Sequence, residues 1–212
     1  MVTGKVPLYR AAKATLGPFL RHLWDIEVTG LDNLPTDGPY VLAANHRSFM
    51  DSIFLASVVP QPIAFMAKAE YFDRRSTAWL FRSTGQIPVR RGSSRGAVQA
   101  IAAARGVLGS GGVIGIYPEG TRSRDGRLHR GSTGVARLAR SQGAPIVPVG
   151  LVGTADVQAP GSLTPHPFHT VTVSFGAPHQ MSDNDSGSTG LRNATDRLMH
   201  SIAGLCGQEY AA

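Results

Sequence analysis

The 212-residue sequence predicts an α/β fold: a single domain with a mixed, largely parallel sheet flanked by helices, plus an N-terminal amphipathic helical segment. Three observations lead there. Short apolar runs bounded by Gly and Pro alternate with amphipathic stretches along the whole chain, as strands joined by crossover helices do. A chain of this length buries a substantial core without staples, and its single cysteine, Cys206, excludes an internal disulfide framework. No apolar run approaches the ~20 residues needed to span a bilayer, and the basic N-terminus has no continuous apolar signal region. The expectation is a protein neither secreted by a visible signal nor transmembrane.

Residues 6–24 place Leu8, Tyr9, Ala12, Leu16, Phe19, Leu20, Leu23 and Trp24 on one side, with Lys5, Arg10, Lys13 and Arg21 mostly on the other. This predicts an amphipathic helix that kinks or restarts at Gly17-Pro18, packed on the domain or lying on an anionic membrane surface. Residues 1–24 therefore form one segment and 25–212 the main domain. Strands are predicted at 26–31, 40–44, 62–68, 85–91 (an edge strand, because of Pro88), 113–117, 145–151 and 170–175, the last in the chain. Helices are predicted at 72–83, at 93–108 with Val98, Ile101, Ala102 and Leu108 inward, and at 131–141. Leu191, Leu198, Ile202 and Leu205 mark a closing helix. Residues 154–168 read as a Pro- and Gly-rich loop, and 182–190 as a polar, flexible one.

The chemistry gathers at strand ends. Asn45-His46-Arg47-Ser48-Phe49-Met50-Asp51 follows the buried run 40–44. Ser48 with an acid three residues on predicts a helix capped at Ser48. In one regular helix, residues five apart point about 140° away from each other. A break between strand and helix lets the Asp51 carboxylate face the His46 ring, fix its tautomer and leave the other nitrogen as a base. Alternatively, His46 is a surface histidine beside a helix-capping acid. Glu119-Gly120-Thr121-Arg122 ends the run 113–117 and leads into a basic loop (Arg122, Arg124, Arg127, Arg130) before a helix N-terminus. Glu119 and Arg122 either pair with each other or present an arginine to a phosphate, a site that Arg90 and Arg91 are placed to join.

Gly92-Ser93-Ser94-Arg95-Gly96 has the G-x-S-x-G form of a nucleophile elbow, with Asp125, Asp156, His166 and His169 following in a compatible order. Its serines equally suit a helix cap. There is no metal-ligand spacing, Walker A motif, dinucleotide fingerprint or nucleic-acid module, so no metal, no cofactor and no nucleic acid is expected. Cys206 reads as a core residue. The net charge is +7, and all but three of the 21 Lys and Arg residues are arginine. That balance points to anionic partners.

Four ordered blocks then stand out: Asn45–Asp51 (N-H-x-S-x-x-D), Gly85–Arg91 (G-x-I-x-V-x-R), Tyr117–Ser123 (F-P-E-G-T-R-S, with Tyr for Phe) and Val147-Pro148-Val149. In order and spacing the chain resembles the 1-acyl-sn-glycerol-3-phosphate acyltransferase (PlsC-like) family over roughly residues 25–180. It departs at Arg90, where the family often has an acid. The resemblance implies acyl transfer from acyl-CoA or acyl-acyl carrier protein (acyl-ACP) to a lysophospholipid acceptor, lysophosphatidic acid, without an acyl-enzyme. It implies His46 as general base oriented by Asp51, with Arg91, Glu119, Gly120, Thr121 and Arg122 binding the glycerol phosphate. Such an enzyme would work peripherally on the anionic cytoplasmic face of the cell membrane. Acylation or transacylation of another lysophospholipid, a serine esterase or thioesterase using Ser94, and a non-catalytic lipid- or nucleic-acid-binding module on the same scaffold are the competing readings.

Overall fold

The computed structural model describes residues 6–90 and 94–211. The chain begins with α1 (Val6–Leu23), β1 (Asp25–Thr29), β2 (Tyr40–Ala44), α2 (Asp51–Val58) and β3 (Ile63–Lys68). Next come α3 (Glu70–Asp73), α4 (Arg75–Ser83), β4 (Ile87–Val89), α5 (Ser94–Gly109) and β5 (Val113–Ile116). The remainder is β6 (Leu128–His129), α6 (Gly134–Gln142), β7 (Ile146–Val152), α7 (Thr154–Val157), β8 (Thr170–Phe175), α8 (Gly187–Cys206) and β9 (Tyr210–Ala211).

Seven strands form one sheet in the order β1-β8-β7-β2-β5-β3-β4, and every pairing is parallel except β7 with β8. The mixed, largely parallel sheet is thus present, and β4 is an edge strand. β2 sits at the centre with all five residues buried. Its side chains alternate across the sheet, as the two-residue period of a strand requires. Tyr40, Leu42 and Ala44 enter a core shared with Leu20 and Trp24 of the N-terminal segment and Phe54 and Leu55 of α2. Val41 and Ala43 enter a second core with Ala104 and Leu108 of α5, Leu138 of α6 and Leu198 and Ile202 of α8. Helices therefore cover both faces, and the carboxyl ends of β2, β3 and β5 open on one edge. Cys206 is buried in the second core.

Several expectations are corrected. α1 runs through Pro18 as a single helix. Its apolar residues divide between two surroundings: Tyr9 and Leu20 are buried, while Leu16 and Phe19 are exposed. The predicted helix 72–83 is two short ones, split at Arg74. α5 turns Ala100, Ala104 and Leu108 inward at four-residue spacing, whereas Val98 is 67% exposed. Small residues let this helix lie close to its neighbours, so the larger Val98 is not the one that packs. The 154–168 loop opens with α7. The polar stretch 182–190 is ordered by Ser182 and Asp185, which cap each other reciprocally before α8 begins. β8 is not the last strand, because β9 pairs with β6 in a separate two-stranded sheet.

Candidate active site

β2 delivers His46 to the carboxyl edge of the sheet, and α2 begins at Asp51 rather than at Ser48. Asp51 binds the chain just ahead of it. Its Oδ2 accepts the backbone N–H groups of Arg47 and Ser48, each at 2.8 Å, and lies 2.8 Å from His46 Nδ1. Ser48 Oγ accepts the Met50 N–H at 3.1 Å, so Ser48 caps the turn that precedes the helix. Asp51 is fully buried and the His46 side chain is 17% exposed. With Nδ1 committed to the carboxylate, Nε2 is the nitrogen left for the cavity that His46 lines. The imidazole is stacked on Tyr117, with ring centroids 3.8 Å apart and planes 10° from parallel. The Tyr117 hydroxyl shares a 2.7 Å hydrogen bond with Ser52, and burial, then the Asp51 charge, push that phenol well above its ordinary pKa.

Register explains the stack: Ala43 pairs with Ile116, so the residues just beyond the ends of β2 and β5 lie side by side. Tyr117 was missed as a site residue, although its place in a matched block at the end of a buried strand marks it. Beyond it, Gly120 takes a left-handed φ of 70°, which favours glycine, and its N–H closes a turn on the Tyr117 carbonyl at 2.9 Å. Glu119 and Arg122 form no ion pair among the described residues. Instead the Glu119 carboxylate accepts the backbone N–H of His46 at 3.1 Å and of His129 at 2.9 Å. Burial raises the Glu119 pKa, and these two N–H groups oppose the rise. The Ser123 N–H donates to the His46 carbonyl at 2.8 Å, so His46 is fastened to the 119–129 segment through both its N–H and its carbonyl.

A cavity of about 610 Å³ opens beside the histidine. Its wall is polar where His46, Gly120, Thr121, Arg122, Arg124 and Lys68 meet. It is apolar along Leu16 of α1, Ile53 and Ala56 of α2, and Phe65 and Phe81. Glu119 is not in the lining. Lys13 is, although the sequence pattern assigned it to the polar face of the first helix; its ammonium donates to the Val59 carbonyl, and burial lowers its pKa. Arg91, expected at the phosphate site, lies outside the described residues, while Arg90 is exposed and absent from the lining. Ser94 begins α5 beyond the edge strand β4. Of the residues offered as its partners, Asp125 is engaged by His129 and Ser123.

A parallel-sheet edge carrying a His–Asp pair, a basic loop and an apolar cavity defines the class: an α/β protein that sets an imidazole and arginines beside an apolar cavity at the carboxyl ends of its strands. The chain belongs to the Acyltransferase family, whose model matches residues 25–152, and within it to the PlsC-type 1-acyl-sn-glycerol-3-phosphate acyltransferases. It is 32% identical over 174 residues to a chloroplastic 1-acyl-sn-glycerol-3-phosphate acyltransferase of Brassica napus, covering 76% of this chain and 50% of that one. It is 30% identical over 148 residues to the 1-acyl-sn-glycerol-3-phosphate acyltransferase of Bacillus subtilis, covering 69% of this chain and 72% of that one. The crystal structure of the 1-acyl-sn-glycerophosphate acyltransferase PlsC from Thermotoga maritima superimposes with a TM-score of 0.76 at 25% identity. It covers 94% of this chain and 79% of that one. The chain spans about half the length of the plant relatives it matches.

Proposed function

We propose that this protein transfers a fatty acyl group from acyl-CoA or acyl-ACP to the sn-2 hydroxyl of 1-acylglycerol-3-phosphate, giving phosphatidic acid. The observation that carries this is the 2.8 Å His46–Asp51 contact at the wall of an apolar cavity beside Arg122 and Arg124. His46 Nε2 takes the hydroxyl proton as the acceptor oxygen attacks the thioester carbonyl. The tetrahedral intermediate collapses, the C–S bond breaks, and the imidazolium returns the proton to the departing thiolate. Asp51 holds the ring and balances the imidazolium charge. Arg122 and Arg124 bind the acceptor phosphate at the turn made by Gly120 and Thr121. Glu119 acts on the base through its backbone and not on the phosphate, where a carboxylate would repel.

The site works on an anionic membrane surface, the cytoplasmic face of the cell membrane in this reading. No helix among the described residues is long and apolar enough to cross a membrane. Leu16 and Phe19 on α1 are exposed, as are Leu163 and Phe168 in the neighbouring loop. That loop is tied to the end of α1, since the Trp24 indole donates to the His166 carbonyl and the Phe168 N–H to that of Leu23. Leu16, Pro160 and Gly161 also line the cavity, so the apolar rim is continuous with its wall. With a net charge of +7, this rim suits an anionic lipid interface.

The test is purified protein with panels of acyl donors and lysophospholipid acceptors, with products read by mass. Phosphatidic acid is the expected product, and His46→Ala lowers its rate by roughly 10²–10⁴. An unchanged rate in His46→Ala sinks the assignment of the base. Acylation of other lyso-acceptors in preference moves the substrate, and acceptor-independent hydrolysis lost in Ser94→Ala replaces the reading with a serine esterase.

A further inference from the structure

The last residues of the chain return to the site from behind. Gly207, at a left-handed φ of 68°, turns the chain out of α8. Gln208 then reaches two places at once. Its Oε1 accepts from Asn45 Nδ2 at 2.7 Å, and its Nε2 donates to the Gly126 carbonyl at 2.7 Å. Asn45 is fully buried immediately before His46. The rest of its amide is paired with the Leu151 backbone, accepting the N–H at 2.8 Å and donating to the carbonyl at 2.9 Å. Gly126 lies in the middle of the basic loop that supplies Arg122 and Arg124 to the cavity. Next to Gln208, the Glu209 carbonyl accepts the Leu128 N–H at 2.9 Å, and its carboxylate pairs with Arg127. Tyr210 and Ala211 then complete the two-stranded pairing with Leu128 and His129. The Tyr210 hydroxyl donates to Asp196 of α8 at 3.2 Å, so the tail is anchored at its far end.

We propose that Gln208 is a positioning residue, and the Gly207–Ala211 tail a clasp, fixing the arginine loop at its working distance from the base. The inference rests on the acyltransferase reading above. Its physical content is simple. The loop's own hydrogen bonds to His46 come from Glu119 and Ser123, near its start, and the Glu119 carboxylate also takes the His129 N–H, near its end. Between them, Gly126 and Arg127 are held from the tail. Reacting groups must sit within a fraction of an ångström of their working geometry, and a misplacement of about 1 Å costs on the order of 10²-fold. The acceptor phosphate is the group that feels such a shift, because the loop binds it. The acyl chain, lying along α1 and α2, does not.

The test compares wild type with Gln208→Met, which keeps the length and removes the hydrogen bonds to Asn45, Gly126 and the Cys206 thiol, and with Gln208→Ala. Steady-state rates are measured with lysophosphatidic acid and an acyl donor varied separately, below the melting temperature of each protein. The expected result is an acceptor KM raised about tenfold or more with the donor KM within about twofold. Hydrogen exchange of the 122–130 amides, which needs no turnover, is expected to quicken in both variants while that of β2 and α2 is unchanged. Unaltered exchange of the loop overturns the proposal even if the wild type proves inactive on every acceptor, which is the separate failure of the acyltransferase reading. An unchanged acceptor KM, or equal rises in both KM values, overturns it as well.

Discussion

Asp51→Asn removes one charge and almost no volume, and so isolates what the carboxylate does for His46. In the native site one oxygen, Oδ2, receives three N–H groups at 2.8 Å. Hydrogen bonds to a charged acceptor contribute about 1.5–3 kcal/mol each, and neutral ones about 0.5–1.5. Retaining the oxygen but not the charge thus costs roughly 1 kcal/mol per bond, or about 3 kcal/mol together. The other oxygen, Oδ1, is buried and has no hydrogen-bond partner among the described residues. In the variant that position receives an NH₂ group, an unsatisfied buried donor worth about 1–3 kcal/mol of destabilisation. Flipping the amide is worse, since it sets NH₂ against three donors. Asp51→Asn is therefore expected to lose about 4–6 kcal/mol of folding stability in urea unfolding. In the reaction, the imidazolium formed as His46 takes the proton loses its anionic partner. The Nδ1–H tautomer is kept, because the Arg47 and Ser48 N–H groups hold the amide oxygen towards the ring. The expected fall in kcat is 10²–10⁴, about 2.7–5.5 kcal/mol of barrier. The assay is the initial rate at saturating donor and acceptor, on protein shown to be folded by circular dichroism. A folded Asp51→Asn protein with kcat within tenfold of wild type would refute the claim that Asp51 orients and balances the base.

Two further outcomes test the surroundings. Tyr117→Phe keeps the ring against His46 and loses only the bond to Ser52, so kcat stays near wild type; Tyr117→Ala removes the stack and is expected to lower kcat about 3- to 10-fold. Asp185 is held down to about 2, first by the Ser182 N–H and then by Arg197, so its stabilisation is complete above the ordinary carboxyl range and disappears as pH falls through that range towards 2. Asp185→Asn should cost about 1–2 kcal/mol at pH 7, discounted for the exposed arginine, and the urea curves of variant and wild type should converge near pH 2; a constant gap at both pH values would contradict this.

What the sequence revealed, and what it hid, divides along a physical line. The strand at 40–44 was legible because five consecutive apolar residues have no other favourable place than a sheet interior. The His46–Asp51 contact was legible because a strand end and a helix start, five residues apart, leave few ways for the two side chains to point. The helix start itself was misplaced by three residues. The Asp51 carboxylate binds the Arg47 and Ser48 N–H groups, and residues 48–50 form a turn ahead of the helix that no residue pattern records. The same reason hid the part Glu119 plays. Its partners are the main-chain amides of His46 and His129, which carry no side-chain signature. β9 was invisible because two residues show no period, and the inward face of α5 was misread because alanines packed where a valine was expected.

These hidden contacts suggest how the site divides its labour. His46 and Tyr117 stand just beyond the ends of β2 and β5 and Asp51 at the start of α2, against strands buried at the centre of the sheet, where an ångström of movement would disturb two cores. Arg122 and Arg124 stand on a loop that meets a core at Leu128 and is otherwise held by hydrogen bonds and by the tail. In the proposed reaction, proton transfer, which tolerates little variation in distance, falls to the rigid half, and binding of the phosphate, which is multivalent and forgiving of direction, falls to the loop. Damage to the strand ends should therefore appear in kcat, and damage to the loop or its clasp in the KM of the acceptor. Glu119 belongs to both halves, since it lies just beyond β5 and binds the backbone amides of His46 and of His129 together. Both amides offset part of the charge of its half-buried carboxylate. Removing it should move both kinetic constants at once.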